Sequence, residues 1–140
     1  MITGKGTKIY YEYLSNLGDF TCGKDCVIHS NVWIGDGVVM GDRVKVEGLV
    51  FIPPGVEIGN DVFIGPGAIF TNDPTLNMES EFKPTRTIVK DGARIGANAT
   101  ILAGIAIGKN SLIGMGSVVI RDVPDNAKVA GNPAKEIGVA

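Results

Sequence analysis

The sequence predicts an all-β solenoid, a triangular prism wound six residues to a side, and three observations carry that prediction. An apolar residue returns every six positions at Ile28, Ile34, Met40, Val46, Ile52, Ile58, Ile64 and Phe70, and again at Val89, Ile95, Ile101, Ile107, Ile113 and Val119. A second series follows four residues behind at Val32, Val38, Val44, Val50, Val56, Val62 and Ala68, then at Ala93, Ala99, Ile105, Ser111, Ser117 and Val123. Glycine follows the first-series residue in seven of the fourteen hexads. With 44% of the chain apolar, fourteen filled slots in a chosen register arise by chance roughly once in 10^5.

A period of six fits neither a helix nor one long strand, so it marks a repeat unit. Within Val38-Val39-Met40 the outer two residues point to one side of an extended chain and Val39 to the other. Gly41, Asp42 and Arg43 then supply the residue types of a corner. The glycine is expected to sit where the bend needs φ values that other residues resist. Each hexad is one short strand and one corner. Three corners close a triangle, so one coil takes eighteen residues.

The 140 residues form one domain by length, divided into a lead-in or cap at 1–21, coils at 22–123 and a C-terminal tail at 124–140. In the lead-in, Tyr10, Tyr11 and Tyr13 are expected to cover the open end of the first coil, since a stack of coils must hide its terminal core. Cys22 and Cys26 extend the two series backwards by one hexad and read as small buried residues. From there the hexads run unbroken to Phe70. The residue before each first-series slot faces outward, and Trp33, Phe51 and Ile69 fall on one wall, an apolar stripe that predicts a subunit interface.

Register is lost after Phe70, and one extended loop is expected at about 72–87. Long loops on rigid scaffolds often carry function. The second array runs to Val123, Pro124 ends it, and the tail is expected to turn back over the last coil. Lys128 and Lys135 join Arg121 as three cations at one end, a candidate anion site.

Several classes are disfavoured. A net charge of −2 with no basic run gives no reason to expect nucleic acid. No apolar run of membrane length and no signal-peptide core appear, so a cytoplasmic protein without a membrane partner is expected. One histidine and two cysteines predict no metal site.

The hexads, the excursion Phe70-Thr71-Asn72-Asp73-Pro74, the segment Ile95-Gly96-Ala97-Asn98-Ala99-Thr100-Ile101 and the ending Val129-Ala130-Gly131-Asn132-Pro133-Ala134-Lys135 resemble the hexapeptide-repeat acyltransferases. Within these the chain is most similar to the N-acetyltransferases of amino-deoxyhexoses linked to dTDP or UDP. The resemblance covers roughly residues 22 to 138 and implies a left-handed parallel β-helix, an exception to the usual right-handed crossover. It also implies a homotrimer with acetyl-CoA as acyl donor, held in the groove between neighbouring subunits, and an active site at the excursion. The loop departs from the family by continuing Pro74-Thr75-Leu76-Asn77-Met78 in place of a proline- and arginine-containing run.

A cofactor lying along the axis touches residues one coil apart. Ala97, Met115 and Pro133 are spaced by eighteen and follow Gly96, Gly114 and Asn132, which makes this line the candidate groove floor. The coenzyme phosphates then fall near Arg121, Lys128 and Lys135.

Acetyl transfer to a hydroxyl needs a general base, usually histidine. His29 lies 43 residues before Asn72, which at roughly 4.8 Å per coil is about 11 Å along the axis. An amine with a pKa near that of an α-amino group, about 7.7 to 8.0, is partly neutral already and needs positioning more than a strong base. Asn72 can orient the amine or hold the carbonyl oxygen as charge develops, and Asp73 can accept from the amine, from a sugar hydroxyl or through water. The first reading is therefore an N-acetyltransferase of a nucleotide-linked amino sugar with Asn72 and Asp73 as its catalytic pair. An O-acetyltransferase using His29 and a non-catalytic β-helix scaffold are the alternatives.

Overall fold

The computed structural model describes residues 1–76, 78, 81 and 83–140. Of the expected loop, Asn77, Glu79, Ser80 and Phe82 lie outside the described residues. The fold is a left-handed parallel β-helix with three walls, each a sheet of short parallel strands. The first wall stacks Ile2–Thr3, Thr21–Cys22, Val39–Met40, Val56–Ile58, Thr87–Val89 and Ala106–Ile107. The second stacks Lys8–Ile9, Val27–Ile28, Lys45–Val46, Phe63–Ile64, Arg94–Ile95, Leu112–Ile113 and Ala127–Gly131, and the third Asn16–Leu17, Trp33–Ile34, Phe51–Ile52, Ile69–Phe70, Thr100–Ile101 and Val118–Val119. Each coil donates its strand N–H groups to the carbonyls of the next, as in Val27 N to Val44 O and Trp33 N to Val50 O, both 2.9 Å.

Every residue of both apolar series is buried, so the core is a column of one inward pair per strand. The two polar members, Ser111 and Ser117, are satisfied within their own corners by donating to Gly108 O at 2.7 Å and Gly114 O at 2.6 Å. Cys22 and Cys26 are buried free thiols. Burial, reinforced by the adjacent Cys26, pushes the Cys22 thiol up to about 11.

Corner chemistry differs from the expectation in one respect. The left-handed φ falls three residues after the first-series residue at the regular corners, at Asn31, Leu49, Gly67, Asn98 and Gly116 along one edge, and not at the glycine that follows it directly. That glycine answers a different demand. A Cβ on Gly96 would stand 2.5 Å from Met115 N and 2.8 Å from Ile113 O, both backbone atoms of the next coil. Close approach of coils, and not a special dihedral, excludes a side chain there.

Leu49 is the exception among the left-handed positions on that edge, which otherwise hold Asn or Gly, and it is 67% exposed. A β-carbon in this conformation costs about 1–2 kcal/mol. Leu49→Asn is therefore expected to raise stability by about 0.5–1 kcal/mol, read as a higher urea midpoint at unchanged slope. A lower midpoint would show that the leucine side chain packs.

Residues 1–21 form strands of a coil of their own, with Lys8–Ile9 beside Val27–Ile28 and Asn16–Leu17 beside Trp33–Ile34. The interior positions Ile9 and Leu17 are eight residues apart because a short 3-10 turn, Glu12–Leu14, is inserted at their corner. Tyr10, Tyr11 and Tyr13 stand outward at that corner and are exposed.

The last coil is also irregular. Leu112 pairs with Lys128, a coil of sixteen residues, and the chain then turns at Asn132-Pro133 into Ala134–Val139, which pairs antiparallel with Ala127–Gly131. The tail thus extends the second wall.

The apolar stripe on the third wall consists of Trp33 stacked on Phe51, ring centroids 4.7 Å apart, with Ile69 below. No helix among the described residues is long and apolar enough to cross a membrane.

Candidate functional site

The excursion leaves the third wall after Phe70 and enters the first at Thr87. Its base is pinned by threonine side chains. Thr71 Oγ1 donates to Ile101 O at 3.0 Å and accepts from Ala103 N at 2.9 Å, while the fully buried Thr87 accepts from Gly104 N at 3.0 Å. Thr85 N closes the base on Asn72 O at 3.1 Å.

Asn72 Nδ2 donates to Pro54 O at 3.1 Å, which fixes the carboxamide against the corner of the preceding coil. Asp73 Oδ1 accepts from the Thr75 hydroxyl at 2.7 Å, Thr75 N at 2.9 Å and Leu76 N at 3.1 Å. The Thr75 hydroxyl first, then the two backbone N–H groups, hold the Asp73 carboxyl below the usual carboxylate range. Such a group suits accepting a hydrogen bond better than taking up a proton.

The loop's far end is tied to the first wall, where Arg86 forms a two-pronged pair with Glu57 at 2.9 and 2.6 Å. Arg86 holds the Glu57 carboxyl below its ordinary value, so the pair contributes above the usual glutamate range and is lost as pH falls through the lowered value. Amide exchange at Thr85 and Thr87 is expected to accelerate, relative to its intrinsic rate, once pH falls below the ordinary glutamate range. Arg86→Gln should show the faster exchange already at pH 6.

A second feature occupies the edge between the second and third walls. A groove of about 590 Å³ runs along it, and its lining includes Phe63, Arg94, Gly96, Ala97, Gly114, Met115 and Lys128. Two glycines strip the edge to backbone, and Met115 stands 81% exposed at its rim.

Below Gly114 the column continues at Ala130, whose Cβ lies 2.9 Å from where a Gly114 Cβ would be, and not at Asn132 and Pro133. The sixteen-residue last coil moves the register by two. Pro133 instead lines a separate cavity of about 340 Å³ at the C-terminal end, together with Arg121, Asp122, Lys135 and Glu136.

The structure therefore brings Gly96, Ala97, Gly114, Met115 and Lys128 together and places Arg121 and Lys135 elsewhere, beside two carboxylates. Asn72 and Asp73 belong to the opposite edge of the third wall from the groove. His29 sits on the groove's own edge but higher, its Nε2 3.5 Å from Glu47 Oε2.

Pro54, Thr71 and Ala130 are participants that sequence reasoning missed. Pro54 is legible as the residue eighteen before Asn72, one coil away. Ala130 is not, because the shortened coil has no mark in the repeat.

The sequence profile of the bacterial transferase hexapeptide family (six repeats) matches residues 37–72 and 86–121. The chain belongs to this family.

Among its relatives in the hexapeptide family, a dTDP-3-amino-3,6-dideoxy-alpha-D-galactopyranose 3-N-acetyltransferase of Aneurinibacillus thermoaerophilus is 60% identical over 50 residues, 36% of this chain and 26% of that protein. The putative acetyltransferase YJL218W of Saccharomyces cerevisiae is 36% identical over 120 residues, 80% of this chain and 58% of that protein. The chain thus spans between about a quarter and just over half of the length of these curated relatives.

Two solved structures share the hexapeptide fold. The AntD N-acyltransferase of Bacillus cereus, a point mutant in complex with dTDP and coenzyme A, superposes with a TM-score of 0.80 at 19% identity over 98% of this chain and 82% of that one. The acetyltransferase domain of PglB from Neisseria gonorrhoeae, in complex with acetyl coenzyme A, does so at 0.78 and 24% identity over 94% and 58%. At these identities they establish the fold alone.

Proposed function

We propose that the protein is an acetyl-CoA-dependent N-acetyltransferase acting on the amino group of a nucleotide-linked amino-deoxy sugar, working as a cytoplasmic homotrimer. The observation that carries the reading is the edge groove stripped to backbone at Gly96 and Gly114, with Lys128 at one end. A narrow chain such as a pantetheine arm fits a floor where backbone groups are reachable and side chains are missing. Lys128 and Arg94 supply cations for phosphates. The 60% identical stretch of the dTDP-amino-sugar acetyltransferase and the 36% identical putative acetyltransferase support the same chemistry.

The positions of the two half-sites support the trimer. Groove and excursion occupy the two edges of the third wall, and that wall bears Trp33, Phe51 and Ile69 outward. Three copies packed through this wall bring the groove edge of one against the excursion of the next. Asn72 and Asp73 then face a neighbour's groove, and the active site is complete only in the assembly.

The thioester supplies the activated acetyl group when it is bound. Asn72, its rotamer held by Pro54, presents its carboxamide to the carbonyl oxygen on which negative charge grows. Asp73, kept ionised, accepts from the incoming amine and orients its lone pair.

The test is thiol release from acetyl-CoA with dTDP- and UDP-linked amino sugars as acceptors. Release with at least one of these amines is expected, with none from the matching hydroxy sugars. Absence of release across the amine series, in protein shown to be trimeric, would overturn the reading.

A further inference from the structure

Resting on the acetyl-transfer reading above, we propose that the N-terminal half of the groove edge binds the acceptor's nucleoside diphosphate, with the base on the tyrosine cluster and the pyrophosphate between Lys8 and Lys45.

The outward column of the second wall, in hydrogen-bonded register, is Lys8, Val27, Lys45, Phe63, Arg94, Leu112 and Lys128. Every second coil presents a cation and none presents a carboxylate. In a chain of net charge −2 this is a segregated basic face. Arg94 and Lys128 line the groove assigned to the coenzyme, whereas Lys8 and Lys45 stand beyond its upper end.

The adjoining edge changes character at the same height. Backbone bonds from Tyr10 N to Ile28 O, His29 N to Val46 O, Glu47 N to Ile64 O and Gly65 N to Ile95 O align Tyr10, His29, Glu47, Gly65 and Gly96 in one file. The lower part of the file is bare glycine and the upper part is aromatic and charged.

All three tyrosines of the chain sit at the top of this file. They are carried by the inserted corner, with Tyr11 in the left-handed region at φ 50. Tyr10, Tyr11 and Tyr13 are 42%, 61% and 82% exposed, and Tyr10 is backed by His29 in a stack with centroids 5.4 Å apart. An exposed ring already supported on one face is a platform for a nucleobase.

The heights agree with one extended ligand. Tyr10 and Gly96 are four coils apart, about 19 Å at roughly 4.8 Å per coil, the length scale of a nucleotide-linked sugar laid along the edge. With the base at the first coil and the pyrophosphate beside the second and third, the amino sugar reaches the glycine floor where a neighbour's Asn72 would stand. Two carboxylates stand on this stretch: the exposed Glu12 lies in the tyrosine corner itself, and Glu47 is 3.3 Å from Lys45 Nζ and 3.5 Å from His29 Nε2, where the pyrophosphate competes with it for Lys45.

The test is calorimetric titration of the full chain with dTDP, UDP and, separately, coenzyme A. Wild-type protein is expected to bind one of the nucleoside diphosphates, more weakly as salt is raised. Lys45→Gln and Tyr10→Leu should each weaken that binding about tenfold or more, and Glu47→Gln should tighten it. Coenzyme A affinity should stay unchanged in all three, which also shows that the variants are folded. Lys45 is an exposed side chain, so its variant remains informative if Tyr10→Leu fails to fold.

Unchanged affinity for dTDP and UDP in Lys45→Gln and Tyr10→Leu overturns the placement while leaving acetyl transfer standing. So does Tyr10→Leu lowering the oligomeric state without touching nucleotide affinity, since the tyrosines would then contact a second copy. Nucleotide binding weakened by these variants in a protein that fails to bind coenzyme A supports the placement and removes the acetyl-transfer reading instead.

Discussion

Gly96→Ala is expected to destabilise the protein by about 3 kcal/mol, lowering the melting temperature by roughly 10 °C, and to weaken coenzyme A binding at the same time. The added methyl would meet Met115 N at 2.5 Å, Ile113 O at 2.8 Å and the Gly114 carbonyl carbon at 2.9 Å. All three are backbone atoms of the next coil, and Gly96 N is hydrogen-bonded to that same Ile113 O. No rotamer can move them aside. The coils must part, and parting them stretches the ladder on two walls.

Gly116→Ala is the control for the other glycine role. Its φ is +67 and nothing lies within 4 Å of a Cβ there, so its cost is only the left-handed strain of about 1–2 kcal/mol. Thermal melts of the two variants side by side decide the matter. If Gly116→Ala proves the more damaging, close approach is not what keeps position 96 a glycine.

Asn72→Ala is expected to reduce kcat by about 10²- to 10³-fold, the usual effect of deleting one donor from a developing oxyanion, with KM for acetyl-CoA nearly unchanged. Asn72 makes its described side-chain bond to Pro54 O, so its removal leaves one carbonyl at a corner without that partner and should alter stability little. Asp73→Asn should cost less, since an amide oxygen still accepts from Thr75 and Leu76.

The pH dependence separates these roles. Because the Asp73 carboxyl sits below its usual range, it is ionised throughout the neutral and alkaline range in which the proposed acetyl transfer would be followed. The alkaline rise in rate should therefore follow deprotonation of the sugar amine and persist in Asp73→Asn. A rise that vanished in that variant would make Asp73 the proton acceptor. Turnover of Asn72→Ala equal to wild type would remove Asn72 from the reacting centre.

Where reading from sequence succeeded, a strict period stood behind it. The core between Ile28 and Val123 was legible residue by residue because a solenoid repeats one steric environment, and each slot tests the last. His29 was legible as remote from Asn72 for the same reason: two coils and the width of the third wall separate them.

Legibility stopped wherever the period did. The first coil is built with an eight-residue spacing from Ile9 to Leu17, and the last takes sixteen residues from Leu112 to Lys128, so neither could be counted. Extrapolating eighteen through that last coil put Asn132 below Gly114 and Pro133 below Met115, whereas it is Ala130 that lies below Gly114. The expected turn of the tail over the last coil gathered Arg121 and Lys135 with Lys128, although the two line a separate cavity at the C-terminal end, beside Asp122 and Glu136. Glycine was recognised at the right positions for the wrong cause, because a dihedral preference and a steric exclusion leave the same residue in the sequence.

What the sequence determined by itself was the prism, its core and its one excursion, since hydrophobic burial at period six has a single solution that stacks. Which edge is bare, which cations share a groove, and which carbonyl holds Asn72 were decided only in three dimensions. These depend on contacts between coils, and such contacts are set by how many residues each turn contains, a quantity the local sequence does not display.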